Sequence, residues 1–400
     1  MDSFEIPKYV TRVLSVLSAE GYAACLVGGC VRDMLLGKRP HDWDVCTSAR
    51  PEEIMAVFPR TRPTGLQHGT VTVLSGGRGV EVTTFRAEGG YADHRHPDHV
   101  TFVRDLERDL SRRDFTVNAM AMDLSGHVTD PFGGQRDLRC GVIRCVGDPE
   151  RRFEEDALRM LRALRFAARF GFPIEDGTMA ALREKAALAA TLAPERVRVE
   201  MEQMLLSPRP ELMQTAIDAG LLSAYLSPAP VADSLRRLTR LPRQARVRWC
   251  ALSVLLEWAV AIPSVEDFLA ELRLDRQTTR CAAICSALLW ESAPETAAGW
   301  KRQLRCYDVE PVECAARCRD ALHGGRSLAA LKSVLASGEC WSLKDLAVDG
   351  EILSARGLRG REIGQTLNRM LEHVIEHPED NDRERLLTLW EEQAWTAGNN

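Results

Sequence analysis

The stretch Leu26–Val45, LVGGCVRDMLLGKRPHDWDV, constrains this chain more than any other. Its spacing predicts an apolar strand over 23–27, two glycines, a short helix, a turn at Pro40 and then two carboxylates, Asp42 and Asp44. Gly28 and Gly29 stand where the strand becomes a helix. Lacking side chains, they let backbone approach a ligand closely, and a helix N-terminus behind them favours an anion. Arg32, one turn further on, can reach the same anion. Two residues apart on a strand, Asp42 and Asp44 share a face. Paired hard oxygen donors suit Mg²⁺, which keeps its remaining positions for water and substrate phosphate. A phosphate cradle followed by a metal pair is equipment for phosphoryl or nucleotidyl transfer.

The rest of the chain sets this stretch in an α+β frame. An amphipathic helix is predicted from Pro7 to Glu20, and Thr47-Ser48 is expected to cap a helix that begins Arg50-Pro51-Glu52. Thr70–Leu74 and Val80–Phe85 alternate and are rich in Val and Thr, with Gly76-Gly77-Arg78-Gly79 between them, so they form a hairpin. Glu81 on its second strand is a candidate third carboxylate, or simply a solvent-facing one. Residues 88–99, EGGYADHRHPDH, lack periodicity and read as a mobile loop. Their histidines match no usual zinc spacing. Ser111–Met122, SRRDFTVNAMAM, is a polar cluster running into an apolar helical segment, and Asp130-Pro131-Phe132-Gly133-Gly134 is a turn. Beyond about residue 146 only helical patterns remain, broken at Pro173, Pro194, Pro208, Pro228 and Pro263.

Glu154–Arg169, EEDALRMLRALRFAAR, reads as one helix. Ala157, Leu161, Leu164 and Ala168 fall in one apolar stripe at about 100° per residue. Asp156, Arg159, Arg162 and Arg165 fan across the other side. A carboxylate beside a guanidinium offers an acceptor next to a donor. Cytosine presents an amine donor beside the N3 acceptor, and adenine an amine beside N1. Guanine and uracil present the reverse pattern. Asp156 with Arg159 can therefore accept CTP and ATP and leave GTP and UTP with unpaired, desolvated groups.

These residues together resemble the class II tRNA nucleotidyltransferases, the CCA-adding enzymes and bacterial poly(A) polymerases. The resemblance is carried by residues 26–45, RRDFTVNAMA, DPFGG, the E-D-x-x-R string at 155–159 and Glu195–Glu200, and it extends more loosely over nearly the whole chain. It implies a polymerase-β-like head with a mixed sheet over 1–145, a helical nucleotide-selecting neck over 146–222, a helical body over 223–335 and a tRNA-binding helical tail over 336–400. It implies addition of C, C and A to tRNA 3′ ends, with contacts to the acceptor and T arm. Asp42 and Asp44 would hold two Mg²⁺ ions. Gly28, Gly29, Arg32, Arg113 and Asp114 would contact phosphate or ribose, Asp156 and Arg159 would select the base, and Arg162 and Arg165 would line the nucleotide site. In the family, a flexible loop at the position of 88–99 accompanies the switch from C to A. Enzymes adding only CC, only A or a poly(A) tail are neighbouring possibilities, and a non-catalytic RNA-binding protein is the alternative of another class. No H-D pair in the helical half suggests an added hydrolase domain.

Composition bounds the remainder. Four hundred residues give two to four domains. The net charge of −5 means that RNA must be met by local arginine patches, and only six of the 52 basic residues are lysine. No apolar run approaches a membrane span and the N-terminus lacks a signal-peptide pattern, so a cytoplasmic protein is expected. Twelve cysteines without a C-x-x-C pair fit a reducing compartment. Cys281/Cys285 and Cys314/Cys318, each spaced i,i+4, are expected to be packed thiols rather than ligands.

Overall fold

The computed structural model describes residues 6–90 and 99–392. The chain forms two compact units, Met1–Ala232 and Asp233–Asn400. The expected head and neck fall in the first, and most of the body and the tail in the second.

The first unit opens with helix α1 (Lys8–Ala19), whose Val10, Val13, Leu14 and Leu17 are fully buried at helical spacing. Pro7 ahead of it offers no side-chain cap. A missing cap costs about 1 kcal/mol, whereas burying each aliphatic side chain contributes about 1.5–3 kcal/mol, so packing holds the helix. It lies on strands β1 (Ala24–Val27), β4 (Thr70–Ser75) and β5 (Arg78–Thr84). Between these strands come α2 (Gly29–Leu35), β2 (Asp44–Thr47), α3 (Pro51–Val57) and β3 (Thr61–Gly65). With β8 (Ala121–Met122) and β9 (Val128–Thr129) they build a seven-stranded sheet in the order β3-β4-β5-β2-β1-β8-β9. Its pairs are antiparallel except β2 with β5, so the sheet is mixed. Val71 and Val73 of β4 face inward between half-buried Thr70, Thr72 and Leu74. Gly76 and Gly77, at φ 56° and 78°, close the predicted hairpin through the two-residue turn that suits strand twist.

Four local expectations change. Thr47 and Ser48 do not cap α3. Their hydroxyls bond to the backbone of Ala23, and the Arg50 N–H instead donates to Glu53 Oε2 at 2.7 Å, one turn ahead. The ends of the predicted loop 88–99 are ordered as a ribbon of β6 (Arg86–Gly89) and β7 (His99–Phe102), while 91–98 lie outside the described residues. Its base is anchored by Glu88, which accepts from Arg86 at 2.8 Å and from Arg112 at 3.0 Å. Ser111–Met122 is not helical beyond the end of α4 (Leu106–Ser111). Phe115 is extended and Thr116–Asn118 make a single tight turn before β8. Asp114 accepts from the Phe115 N–H and from Asn118 Nδ2, local bonds that compete with helix. Lastly, Glu154–Arg169 is two helices, described with the site.

After α5 (Gly134–Cys140) the unit is helical: α6 (Pro149–Glu155), α7 (Leu158–Phe170), α8 (Asp176–Glu184) and α9 (Pro194–Leu205). The second unit is helical throughout its regular elements, led by Ala245–Trp258, Arg276–Trp290, Ala297–Tyr307, Val309–His323 and Arg361–Glu376. Its last core gathers Val348, Leu353, Met370, Leu371, Val374 and Leu386. Lys301 is buried against that core, its Nζ 2.6 Å from Glu339 and 3.3 Å from the Ile375 carbonyl. No helix among the described residues is long and apolar enough to cross a membrane.

Gly134 marks where the head tolerates least. A Cβ there would meet the Thr116 carbonyl oxygen at 2.2 Å and Met120 Cγ at 2.9 Å. Gly134→Ala should therefore destabilise the first unit by about 1–3 kcal/mol. Gly364→Ala, on a helix face with nothing within 4 Å, should be neutral or stabilising. Thermal unfolding followed by circular dichroism separates the two, and an unchanged melting curve for Gly134→Ala would refute the close approach.

Candidate active site

Antiparallel pairing of β1 with β2 sets Leu26 opposite Val45, so the residue leaving β1 meets the residue entering β2. Gly28 leaves β1 at φ 76°, a left-handed conformation that glycine adopts without strain. A Cβ at this position would sit 3.0 Å from Arg113 Nη1. The turn is thus closed on one side by a guanidinium. Gly29 opens α2, and a Cβ there would touch Arg32 Nη2 at 3.5 Å.

Asp44 opens β2 and stands in register with Glu81 of β5, across the sheet's parallel pair. Asp42 lies in the bend just before the strand. Trp43 is buried between them while both aspartates are exposed, which keeps the carboxylates on the open side. Although Asp44 reaches solvent, desolvation by the protein around its carboxyl comes first in raising it above its ordinary range and Glu81 next, with Asp42 adding and Arg113 opposing. Three carboxylates against one guanidinium leave an excess of negative charge. Hard oxygen donors under such repulsion are a fit for a divalent cation.

Arg113 reaches this group from the segment after α4. Its Nη2 donates to Asp109 Oδ2 at 3.3 Å, while its buried Nε has no hydrogen-bond partner among the described residues. Asp109 is itself fully buried; burial opposes its charge, and Arg112 and Arg113 outweigh that, holding its carboxyl below the ordinary range. Arg32 is placed differently. It is buried, bonded to Asp33 at 2.7 Å and to Asn118, and stacked 4.8 Å from the Phe170 ring. It braces the glycine turn from behind against α7.

The segment expected to read a base breaks at Asp156. That residue is extended at φ −146°, ψ 103°, and ends α6. Its Oδ1 accepts from the Leu158 N–H at the start of α7, and Arg196 of α9 donates to its carboxylate at 2.9 Å. Aspartate competes with the helix for backbone N–H groups and serves better as a cap than as an interior residue. Arg159 is not on the open face. It is buried, paired with Glu155 at 2.7 Å, and donates to the carbonyls of Arg152 and Arg112. Arg162 clasps Asp114 through Nε at 2.8 Å and Nη2 at 2.6 Å. Arg165 pairs with Glu200 at 2.5 Å and lies 4.0 Å from the Phe166 ring. The apolar stripe of Ala157, Leu161, Leu164 and Ala168 is buried as expected.

The structure thus gathers Gly28, Asp42, Asp44 and Arg113 with Glu81, and separately Asp114, Asp156, Arg162 and Arg165 with Arg196 and Glu200. Sequence reasoning assigned no role to Asp109, Glu155, Arg196 or Glu200. The last two lie in the string 195–200, whose pattern was visible while its partners were not.

Residues 24–144 match the poly A polymerase head domain, and residues 171–232 match the probable RNA and SrmB- binding site of polymerase A. The CCA-adding enzyme of Lactiplantibacillus plantarum is 39% identical over 398 residues, covering 94% of this chain and 93% of the relative. The chain belongs to the CCA-adding enzyme family. The Geobacillus thermodenitrificans member is 37% identical over 409 residues and covers 97% of both chains. The solved structure of the Bacillus stearothermophilus CCA-adding enzyme in complex with CTP superimposes with a TM-score of 0.83 at 33% identity, over 97% of this chain and 98% of that one. A Thermotoga maritima CCA-adding enzyme, at 21% identity and a TM-score of 0.70, shares the fold. The family's polymerase head is therefore the mixed sheet described above, and this family of nucleotidyltransferases depends on divalent metal.

The Asp114–Arg162 clasp should be visible in acid. Asp114 is buried, which alone would raise its carboxyl, yet the Arg162 guanidinium and Asn118 amide bring it down to about 2 from 3.8. A depressed carboxyl stabilises the fold above its unfolded value, and that stabilisation is lost as pH falls from about 4 to about 2. It amounts to about 2 kcal/mol at neutral pH. Asp114→Asn should melt well below the native chain at pH 7, and the gap should narrow below pH 4. A gap independent of pH between 7 and 3 would contradict the clasp.

Proposed function

We propose that this chain adds C, C and A in turn to the 3′ end of tRNA, drawing on CTP and ATP without a nucleic-acid template. The observation that carries it is the Asp42/Asp44 pair beside the Gly28 turn, with Asp44 in register with Glu81, on the head of a CCA-adding family member. Asp42 and Asp44 would hold the metal, and Mg²⁺ fits their hard oxygen donors best. When bound, such ions favour ionisation of the primer 3′-hydroxyl and neutralise charge on departing pyrophosphate. The rest falls to the chain itself. Gly28 and Gly29 leave room for triphosphate against bare backbone. Arg113, with an unused buried N–H, supplies the nearest cation. Glu81 supports Asp44 and is the candidate third carboxylate. Asp114 orders the loop that carries Arg113.

Base choice rests on Asp156 and Arg159, with Arg162 and Arg165 along the nucleotide site and Arg32 bracing the turn. Asp156 is already bonded by Arg196 and the Leu158 N–H, and buried Arg159 by Glu155 and the Arg112 and Arg152 carbonyls. A cytosine or adenine edge that offers a donor beside an acceptor can exchange with Arg196 and Glu155, whereas guanine or uracil would displace them and replace neither. In this reading, 1–145 is the catalytic head and 146–222 the selecting neck, while the body 223–335 and tail 336–400 grip tRNA by backbone and shape. Segment 88–99, anchored at its base by Glu88 and Arg112, admits the final A. Its presence favours full CCA over CC addition. The cytoplasm is the fitting compartment, since the cysteines are free thiols.

The direct test offers tRNA lacking its last three nucleotides with each NTP singly and together, and sequences the products. CCA ends require CTP and ATP and ignore GTP and UTP. Products stopping at CC, a lone A or a long A tract would assign one of the neighbouring activities, and no product at all would leave an RNA-binding protein.

Asp44→Ala should abolish incorporation of both CMP and AMP with an unchanged melting curve. Glu81→Gln should lower kcat at least tenfold while leaving KM for CTP nearly constant, since the loss lies in the chemical step. Near-normal turnover of Asp44→Ala in Mg²⁺ would refute the metal assignment.

Asp156→Ala and Arg196→Ala should both relax base choice, the second by releasing the carboxylate from its anchor. Competition among all four NTPs measures this. Variants that lose rate but still reject GTP and UTP fully would show that the pair does not read the base.

A further inference from the structure

The second unit buries six cysteines that the nucleotidyl-transfer chemistry does not use, and five of them, all but Cys340, come from three helices. Cys250 comes from helix Ala245–Trp258, Cys281 and Cys285 from Arg276–Trp290, and Cys314 and Cys318 from Val309–His323. The i,i+4 spacing puts each pair on one helix face, and packing of the three helices turns those faces together. The sulfurs of Cys250, Cys281 and Cys314 all lie within 4.8 Å of one another, as do those of Cys285, Cys314 and Cys318. Cys314 thus belongs to both triplets. Thiolates around a zinc ion, at a Zn–S distance of about 2.3 Å, stand about 3.8 Å apart, so a small inward movement closes either triplet on an ion.

A way in lies beside the first triplet. A cleft of about 670 Å³ is lined by Cys281 and Cys314 together with Arg246, Glu310, Glu313 and Arg317. Arg246 pairs with Glu310 and Arg317 with Glu313 across its wall. The cleft brings solvent and charged groups to two of the three sulfurs of the first triplet. In the second triplet Cys318 already donates its S–H to the Val247 carbonyl at 3.9 Å. Packed thiols alone call for neither a shared sulfur nor an opening.

We propose that Cys250, Cys281 and Cys314 form a binding site for a thiophilic d¹⁰ cation, Zn²⁺ or Cu⁺, entered from this cleft. Binding forms three metal–sulfur bonds and releases the three thiol protons to solvent. Zn²⁺ then takes its fourth, tetrahedral ligand from the cleft, as water or a Glu313 oxygen. Cu⁺ is satisfied by three sulfurs and can use Cys314 as a bridge to a second ion at Cys285 and Cys318. Either ion staples at one point three helices that are otherwise joined by packing and by bonds such as Arg246–Glu310 and Ser286–Glu257.

The test uses the full chain, reduced and stripped with a chelator. Co²⁺ serves as the optical probe, because sulfur-to-cobalt charge transfer reports thiolate ligation and carboxylates do not produce it. The charge-transfer band should appear on Co²⁺ addition and vanish on addition of Zn²⁺ or Cu⁺, and the melting temperature should rise with either ion. Metal analysis after dialysis then distinguishes one Zn²⁺ per chain from two Cu⁺. Cys314→Ser should weaken Co²⁺ binding at least tenfold, as should Cys281→Ser if the first variant folds poorly by circular dichroism. Cys306→Ser, an exposed thiol of the same unit, should leave the band unchanged. Absence of the band with micromolar Co²⁺, or a band that survives both Cys281→Ser and Cys314→Ser, would overturn the site.

Discussion

The pairing of β1 with β2 is the constraint on which the rest of the head depends. One antiparallel register joins the end of the first strand to the start of the second, and so joins a glycine turn to a carboxylate. A slip of one residue would turn Asp44 to the buried face and Val45 to the open one, since side chains alternate along a strand. The buried residues Leu26, Val27, Val45 and Cys46 oppose that slip. Several kcal/mol of aliphatic burial therefore stand behind the position of one exposed acid. The parallel pairing of β2 with β5 extends the same register to Glu81.

A second layer of order is ionic. Asp109, Asp114, Glu155 and Glu200 each take an arginine: Asp109 pairs within the head segment, Asp114 ties that segment to α7, and Glu155 and Glu200 tie α6 and α9 to α7. Buried pairs of this kind add little net stability over apolar packing, but removing one partner strands a charge and is costly. Their contribution is geometric: they fix where the guanidinium groups lie. Arg32, held among Asp33, Asn118 and Phe170, does this for the glycine turn.

What could be read beforehand divides along physical lines. The placement of Gly28, Gly29, Asp42 and Asp44 about one turn was legible because it depends on neighbours within twenty residues. The hairpin at Gly76-Gly77 was legible for the same reason. Periodicity correctly marked the buried stripe of Leu161 and Leu164, yet it could not show that Asp156 would leave the helix. A cap and an interior position look alike in an amphipathic pattern. Nor could it show that Arg159 turns inward, because Glu155 and the carbonyls of Arg112 and Arg152 are brought to it by packing. The i,i+4 cysteines were plain, but Cys250 joins them only through the arrangement of three helices.

On the proposed base-reading role, the break at Asp156 bears on accuracy as distinct from speed. The carboxylate sits at a joint between α6 and α7, and its orientation is borrowed from Arg196 on α9. The acids of β2 and β5, by contrast, are fixed by a sheet. Two bonds to a single guanidinium loosen before a hydrogen-bonded ladder does. As such an enzyme warms towards its melting point, wrong nucleotides should be admitted while catalysis still runs at full pace, and infidelity should be the earliest symptom of lost structure.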